Sequence, residues 1–351
     1  MNIIHQLYDE QFIAGYFKKR ILPLYPEFLR IKKIKIHGIK NHIWERTYHV
    51  VVGYETWFET RAGKIKRLHL YGSAHSDEQR KNVYDALKFL WGRNFNRGNL
   101  AIPHPLFYSQ RFKGVFYRGI KGNNLYHYIR EQDIGEVQKI TRLAALWFAK
   151  LHKLDTRGAR NFNRKNSLIE TTVPGAKHWL ESITEREPKF YDEVKDIFER
   201  LNAAEKKFLR STPQRWLIHG DAHPENVVKM SEKKIGVIDF TDLCLGDFAR
   251  DIGSFLQQLD YMMRRHVPEK MLVTETKKLF LETYLAARNL TLNEDLKQRI
   301  QTYYHWTALR TVIFFLVKEH PEPERARELI NDMSSTHFLD TLSHCDFLTN
   351  C

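Results

Sequence analysis

Residues 216–242 read WLIHGDAHPENVVKMSEKKIGVIDFTD. Trp216–Ile218 is a short apolar strand that ends at a Gly-Asp pair, and Asn226–Met230 and Ile235–Phe240 are two more, joined by the polar turn SEKK. Helical patterns lie on both sides, so the stretch predicts a hairpin embedded in a mostly helical region. Asp221 stands in the loop before that hairpin, five residues ahead of Asn226, and Asp239 ends its second strand. A loop and an adjacent strand bring the three to one point. One carboxylate able to take a hydroxyl proton, with hard oxygen donors able to fix Mg²⁺ against phosphates, is what phosphoryl transfer needs.

On the N-terminal side the hydrophobic period changes. After an amphipathic stretch from about Leu7 to Leu24, residues 31–71 predict three strands, IKKIKIHGI, RTYHVVVGYETWF and KIKRLHLY, with Gly38, Asn41, Ala62 and Gly63 as turn signals. A helix follows, with Val83, Ala86, Leu87 and Leu90 on one stripe and Ser76 as its expected N-cap. Two further strands, around Leu106–Phe112 and Val115–Ile120, lead into the linker KGNN. Beyond it the pattern is mainly helical, and Glu136–Leu154 carries Ile140, Leu143, Leu146, Trp147, Leu151 and Leu154 at core-helix spacing. The division expected is an N-terminal lobe, 1–120, and a larger C-terminal lobe, 121–351.

Composition excludes whole classes. With 42% hydrophobic and 13% aromatic residues the chain can bury a core and is not a disordered tail. Its three cysteines, Cys244, Cys345 and Cys351, are too few for a disulfide framework and lack a CxxC pair for zinc, which suits a reducing compartment. The opening MNIIHQLYDEQF has acidic residues where a signal peptide needs a positive region, and the longest apolar stretch, Trp306–Val317, is interrupted by Arg310 and too short for a bilayer span. A cytoplasmic protein with no membrane span is expected. The net charge of +14 suggests an anionic partner, but residues 1–120 carry +12 of it and the remainder +2. A nucleic-acid partner using that basic lobe is therefore the weaker reading, and a solvated face of lysines such as Lys32, Lys33 and Lys35 the plainer one.

His219-Gly220-Asp221-Ala222-His223-Pro224-Glu225-Asn226, then Ile238-Asp239-Phe240, then Gly246-Asp247-Phe248-Ala249-Arg250-Asp251 together resemble the signature of the aminoglycoside phosphotransferase family, small-molecule kinases related to choline kinases. KGNNL at 121–125 and LAALWFAKLH at 143–152 resemble that family's hinge and following helix. The resemblance covers most of residues 60–320. It implies an α+β, bilobal protein-kinase-like fold with a small antiparallel N-lobe sheet and a larger, mainly helical C-lobe. It further implies an ATP-dependent phosphotransferase that passes the γ-phosphate to a hydroxyl of a small molecule, such as a sugar, amino sugar, aminoglycoside or amino-alcohol, with ATP and Mg²⁺ as cofactors. Asp221 matches the catalytic base, and Asn226 and Asp239 match the Mg²⁺ ligands. His219 and His223 read as loop-holding residues, as does Asp251. Asp242 either faces the acceptor or is solvated.

A kinase-like third strand should offer a lysine to the phosphates, paired with a helix carboxylate. That position falls on or near His69, with Arg67 the cation on the same face and Glu78 or Asp85 as partner. The loop expected between the first two strands, GIKNHIWE, offers Lys40, Asn41 and His42 in place of a glycine-rich loop. Adenine is expected at the backbone of Arg118, Gly119 and Ile120. Late helices carry Tyr303, Tyr304, Trp306 and Arg310, either as core or as a surface on which a hydroxylated metabolite could stack. Two other readings stay open on sequence alone: a Ser/Thr protein kinase of the same fold, and a degenerate nucleotide-binding scaffold.

Overall fold

The alternation along residues 31–71 is realised as a meander in the computed structural model, which describes residues 2–78 and 80–335. Contacts divide the chain into two units, one of residues up to Gly122 with Val228–Thr241, the other of Asn123–Val227 and the chain from Asp242 onward.

In the first unit, α1 (Glu10–Arg20) starts where the Asp9 carboxylate accepts a bond from the Phe12 N–H. Strands β1 (Phe28–Ile43), β2 (Tyr48–Thr60) and β3 (Ile65–His75) follow, then α2 (Lys81–Leu90), a short β4 (Leu100–Ala101), β5 (His104–Ser109) and β6 (Gly114–Arg118). The five-stranded sheet runs β1-β2-β3-β6-β5, with every neighbouring pair antiparallel. Val50, Val52 and Tyr54 of β2, Leu70 and Ala74 of β3 and Phe116 of β6 pack in one core with Phe17 of α1. Each such side chain removed from water contributes on the order of 2 kcal/mol. The other face of β3, His69, Tyr71, Ser73 and His75, stays half-buried.

Three details depart from the sequence reading. β1 continues to Ile43 and the turn falls at 44–47, so Lys40, Asn41 and His42 are strand residues and not a loop. Ser76 does not cap α2, which begins at Lys81; its hydroxyl instead accepts from the Tyr48 N–H, pinning the end of β3 to the start of β2. The hairpin of strands Val227–Ser231 and Lys234–Val237 makes its contacts largely with the first unit, because Lys234–Val237 pairs in parallel with the open edge of β4.

The second unit holds α3 (Leu125–Arg130), α4 (Ile134–His152), α5 (Ala176–Arg186), α6 (Tyr191–Ser211), α7 (Ala249–Arg264), α8 (Lys270–Arg288), α9 (Glu294–Val317) and α10 (Pro323–Ser335). The periodic stripe of α4 buries Ile140, Trp147 and Leu151 as its spacing predicts, and α9 buries Tyr303, Tyr304 and Trp306. Strands Trp216–Ile218 and Cys244–Gly246 pair antiparallel, Ile218 opposite Cys244. That short ladder holds the loop beginning at His219. Among the described residues no helix is long and apolar enough to cross a membrane; Cys345 and Cys351 lie outside the described residues.

Candidate active site

The loop from His219 to Asn226 leaves its ladder through Gly220, whose φ of +82° a side chain disfavours and whose added Cβ would lie 2.3 Å from the Asp242 carbonyl oxygen. Asp251, in the first turn of α7, braces this corner. Its Oδ2 accepts from the His219 N–H at 2.7 Å and from His152 Nε2 at 3.0 Å, and its Oδ1 accepts from the Gly220 N–H at 2.9 Å. The site is fully buried. Burial lowers the His152 pKa despite Asp251, so the ring is neutral: Nε2–H donates to Asp251, and Nδ1 accepts from the Tyr284 hydroxyl at 2.8 Å. Burial raises the Asp251 pKa, but the bonds from His152 and the Gly220 N–H, with His219 nearby, outweigh this and hold it below the usual range.

Asp221 follows with its carboxylate a third exposed. Its Oδ2 lies 3.4 Å from His223 Nε2 and its Oδ1 lies 3.9 Å from Arg310 Nη1 of α9. Desolvation opposes its charge, yet His223, Arg310 and His219 hold it well below the usual carboxylate range. Asn226 Nδ2 donates to the Asp221 carbonyl oxygen at 3.0 Å and sits 2.9 Å from His223 Nε2, which fixes the amide and leaves Oδ1 as its remaining oxygen. His223 thus touches both acidic loop and amide, while His219, buried edge-on against Trp147 and Phe148, is a packing residue of the loop. Asp242 is not solvated: its Oδ1 accepts from Asn163 and Asn166. Asp247, opening α7, is clamped by Arg299 of α9 through Nε and Nη2.

Asp239 belongs to the first unit. Its backbone is left-handed, φ +61°, and its Oδ1 accepts from the Thr241 N–H; a non-glycine residue held there is stored strain of the kind found at functional sites. Tyr117 senses it. Burial pushes that phenol up, Asp239 and Tyr71 add to the effect, and Arg80 opposes it.

The phosphate-contacting cations expected on β3 are elsewhere engaged. Arg67 lies 3.5 Å from Glu55 and over the Trp57 ring, and the His69 carbonyl accepts from the Gly119 N–H at 2.9 Å, which places both toward the hinge end of the strand. Gly119 packs flat on Tyr71, with no room for a Cβ, while Arg118 pairs opposite Leu70 and His104 and Ile120 covers Gly236. Glu78 reaches Arg80 and Asp85 reaches Lys81, so neither helix carboxylate pairs with Arg67 or His69. At the other end of the sheet, His75 stands opposite His49 with rings 4.6 Å apart, and Arg80 Nη2 lies 3.3 Å from His49 Nε2. Lys40 adds charge to the same face, and burial, with Lys40 and Arg80 acting in the same direction, lowers the His49 pKa to about 4. Arg80 is buried and its Nε has no hydrogen-bond partner among the described residues. Sequence reasoning named Lys40 and His42 as loop residues and Arg310 as a core or stacking residue; what it missed is the cluster of His49, His75 and Arg80. Its only sequence signal was the recurrence of basic residues at strand ends.

A braced aspartate loop in a helical unit and a five-stranded antiparallel sheet in the other unit define an α+β, kinase-like fold. The chain belongs to the phosphotransferase enzyme family, whose model matches residues 44–295. It is similar to the ethanolamine kinase of Plasmodium vivax, at 14% identity and TM-score 0.55 over 88% of this chain and 83% of that one. It is also similar to a spectinomycin phosphotransferase solved with ADP and spectinomycin, at 12% identity and TM-score 0.51 over 95% and 97%. A third match is a thermostable mutant of an aminoglycoside phosphotransferase, at 13% identity and TM-score 0.52 over 93% and 100%. None of the curated proteins compared with the chain matches it.

Proposed function

We propose that the protein transfers the γ-phosphate of ATP to a hydroxyl group of a small molecule. The observation that carries this reading is the Asp221 carboxylate, kept ionised by His223 and Arg310 on a loop whose backbone Asp251 and Asn226 lock. An ionised carboxylate so fixed can orient an acceptor hydroxyl and take its proton as the oxygen attacks phosphorus. Asn226, through Oδ1, and Asp239, through its carboxylate, fit a hard cation in donor chemistry and are the residues that would hold Mg²⁺. That ion would supply neutralisation of charge on the β- and γ-phosphates. Arg80, Lys40 and the His49–His75 face replace the missing third-strand lysine in this reading. Arg118, Gly119 and Ile120 line the adenine, with Arg67 and His69 toward that end. Asp242 acts here as a positioning residue that holds the Asn163 and Asn166 segment beside Gly220.

The test is ADP release with Mg²⁺ across a panel of hydroxylated acceptors, comparing wild type with Asp221→Asn. Turnover should fall by about 10²–10⁴ in the variant, the range for loss of a general base, with ATP-dependent thermal stabilisation kept. Equal turnover would remove Asp221 from its role. Stabilisation by ATP with no turnover on any acceptor would favour a scaffold instead.

A further inference from the structure

A pocket of about 420 Å³ opens in the second unit between α5, α9 and the segment around Thr172, a size within the usual range for small-molecule sites. One of its wall residues is Arg310, whose guanidinium lies 3.9 Å from the Asp221 carboxylate, so a single side chain joins the pocket to the base. Its charged lining is of one sign, Arg310 and Arg186, with no Asp or Glu among the lining residues. Arg186 is fixed there by a 2.8 Å bond from Nη1 to the Lys318 carbonyl oxygen. The walls between are aromatic and apolar, from Trp179, Trp306 and Phe314, and the indole N–H of Trp306 is buried with no partner among the described residues.

Resting on the phosphotransferase reading, we infer that the acceptor is a hydroxylated small molecule bearing an anionic group, a carboxylate or phosphate, which Arg186 and Arg310 hold while a hydroxyl is turned to Asp221. The physical argument is one of sign. A polyamine acceptor would need carboxylates to offset its charge; here it would meet two guanidiniums and no carboxylate in the lining, a like-charge juxtaposition that disfavours binding. An anionic group gains a charge-assisted, bidentate contact from either arginine. Arg310 then has two neighbours, the acceptor's anion and Asp221, and couples the presence of the first to the orientation of the second.

The experiment compares acceptors of one pyranose skeleton, glucuronate and glucose 6-phosphate against glucose, and glucosamine as the cation, in wild type, Arg186→Glu and Arg186→Lys. ADP release is measured together with binding by ligand-observed NMR. Carboxylate and phosphate arms report the two sources of the anion separately. The expected result is that at least one anionic acceptor exceeds glucose in affinity and in kcat/KM by about tenfold or more, that Arg186→Glu removes this preference chiefly through KM, and that Arg186→Lys restores part of it. Preference for glucosamine or glucose, with turnover that Asp221→Asn abolishes, overturns the inference and leaves the phosphotransferase standing. Anion-selective binding sensitive to Arg186 with no turnover supports the pocket while the phosphotransferase reading falls. Absence of anion-selective binding in wild type overturns the inference whether or not turnover is seen.

Discussion

Asp251 carries more of the candidate site than its distance from the chemistry suggests. Three donors, His152 Nε2, His219 N–H and Gly220 N–H, share its two oxygens in a fully buried place. Asp251→Asn preserves the shape but replaces an acceptor oxygen by an NH₂ group, leaving at least one buried donor without a partner. Each such group costs about 1–3 kcal/mol, so we expect urea denaturation to show a loss of about 2–4 kcal/mol and turnover to fall with the loop's order. An unchanged midpoint would show that the loop holds without this brace. Protonation gives a second expectation. Burial lowers His49 and His104 to about 4, assisted by neighbouring cations, whereas an unfolded histidine titrates near 6.5. Between those values the unfolded chain binds more protons, so their contribution is complete above pH 6.5 and is lost as pH falls toward 4. Asp221 and Asp251, held below the usual range, lose theirs only at lower pH. Tm should therefore fall between pH 7 and pH 4.5. His104→Phe, which keeps the stack on Trp91 without a titratable ring, should flatten the curve; an identical slope in that variant would assign the loss to other groups.

Between elements, one ion pair links the start of α7 to α9: Arg299 binds Asp247 through Nε and Nη2, and Asp247 also accepts from the Ala249 N–H. Both side chains are buried. Arg299→Met strands the carboxylate and should cost about 3–5 kcal/mol. Adding Asp247→Asn removes the stranded charge while keeping an oxygen for Ala249, so the double variant should recover part of the loss by denaturant midpoint; additive losses would refute the charge argument. Legibility divides along the same line between local and non-local order. The strands of the meander and α4 were readable because period and turn residues are local signals. So was the Asp221–Asn226 spacing, since a loop and its cap close within a few residues. The pairings of Arg310 and Arg299 were not, because each reaches its aspartate across about 90 and 52 residues of chain, and an arginine on an amphipathic helix looks the same in sequence whether it is solvated or paired. The basic cluster at His49, His75 and Arg80 was missed for a third reason. β1 runs through residues read as a loop, so the pairing of His42 opposite His49 was not legible. Ser76 misled in the same place, its hydroxyl serving β2 and not a helix.

At the scale of the molecule, the charge excess follows the units. The first unit, residues 1–122 with 228–241, carries 25 Lys and Arg against 11 Asp and Glu, which is the whole of the +14; the rest of the chain is balanced. A field of one sign over one unit raises the local concentration of a polyanion and speeds its encounter, and it is screened once the Debye length shrinks to a few ångströms. Short-range contacts with the phosphates depend much less on salt. The association rate of a fluorescent ATP analogue should therefore fall several-fold between about 0.05 and 0.5 M salt, with a smaller change in its dissociation rate. Lys32, Lys33 and Lys35 supply three of these charges from the exposed part of β1, where Lys32 meets Glu59 and Lys33 lies over Trp57. Replacing all three by Gln should lower the association rate and weaken its salt dependence while leaving dissociation and Tm nearly unchanged, since exposed ion pairs contribute little to stability. A variant that binds at the wild-type rate would mean that these lysines are a solvated face and that attraction comes from the Arg80 cluster alone; a variant with faster dissociation would mean that β1 touches the nucleotide directly.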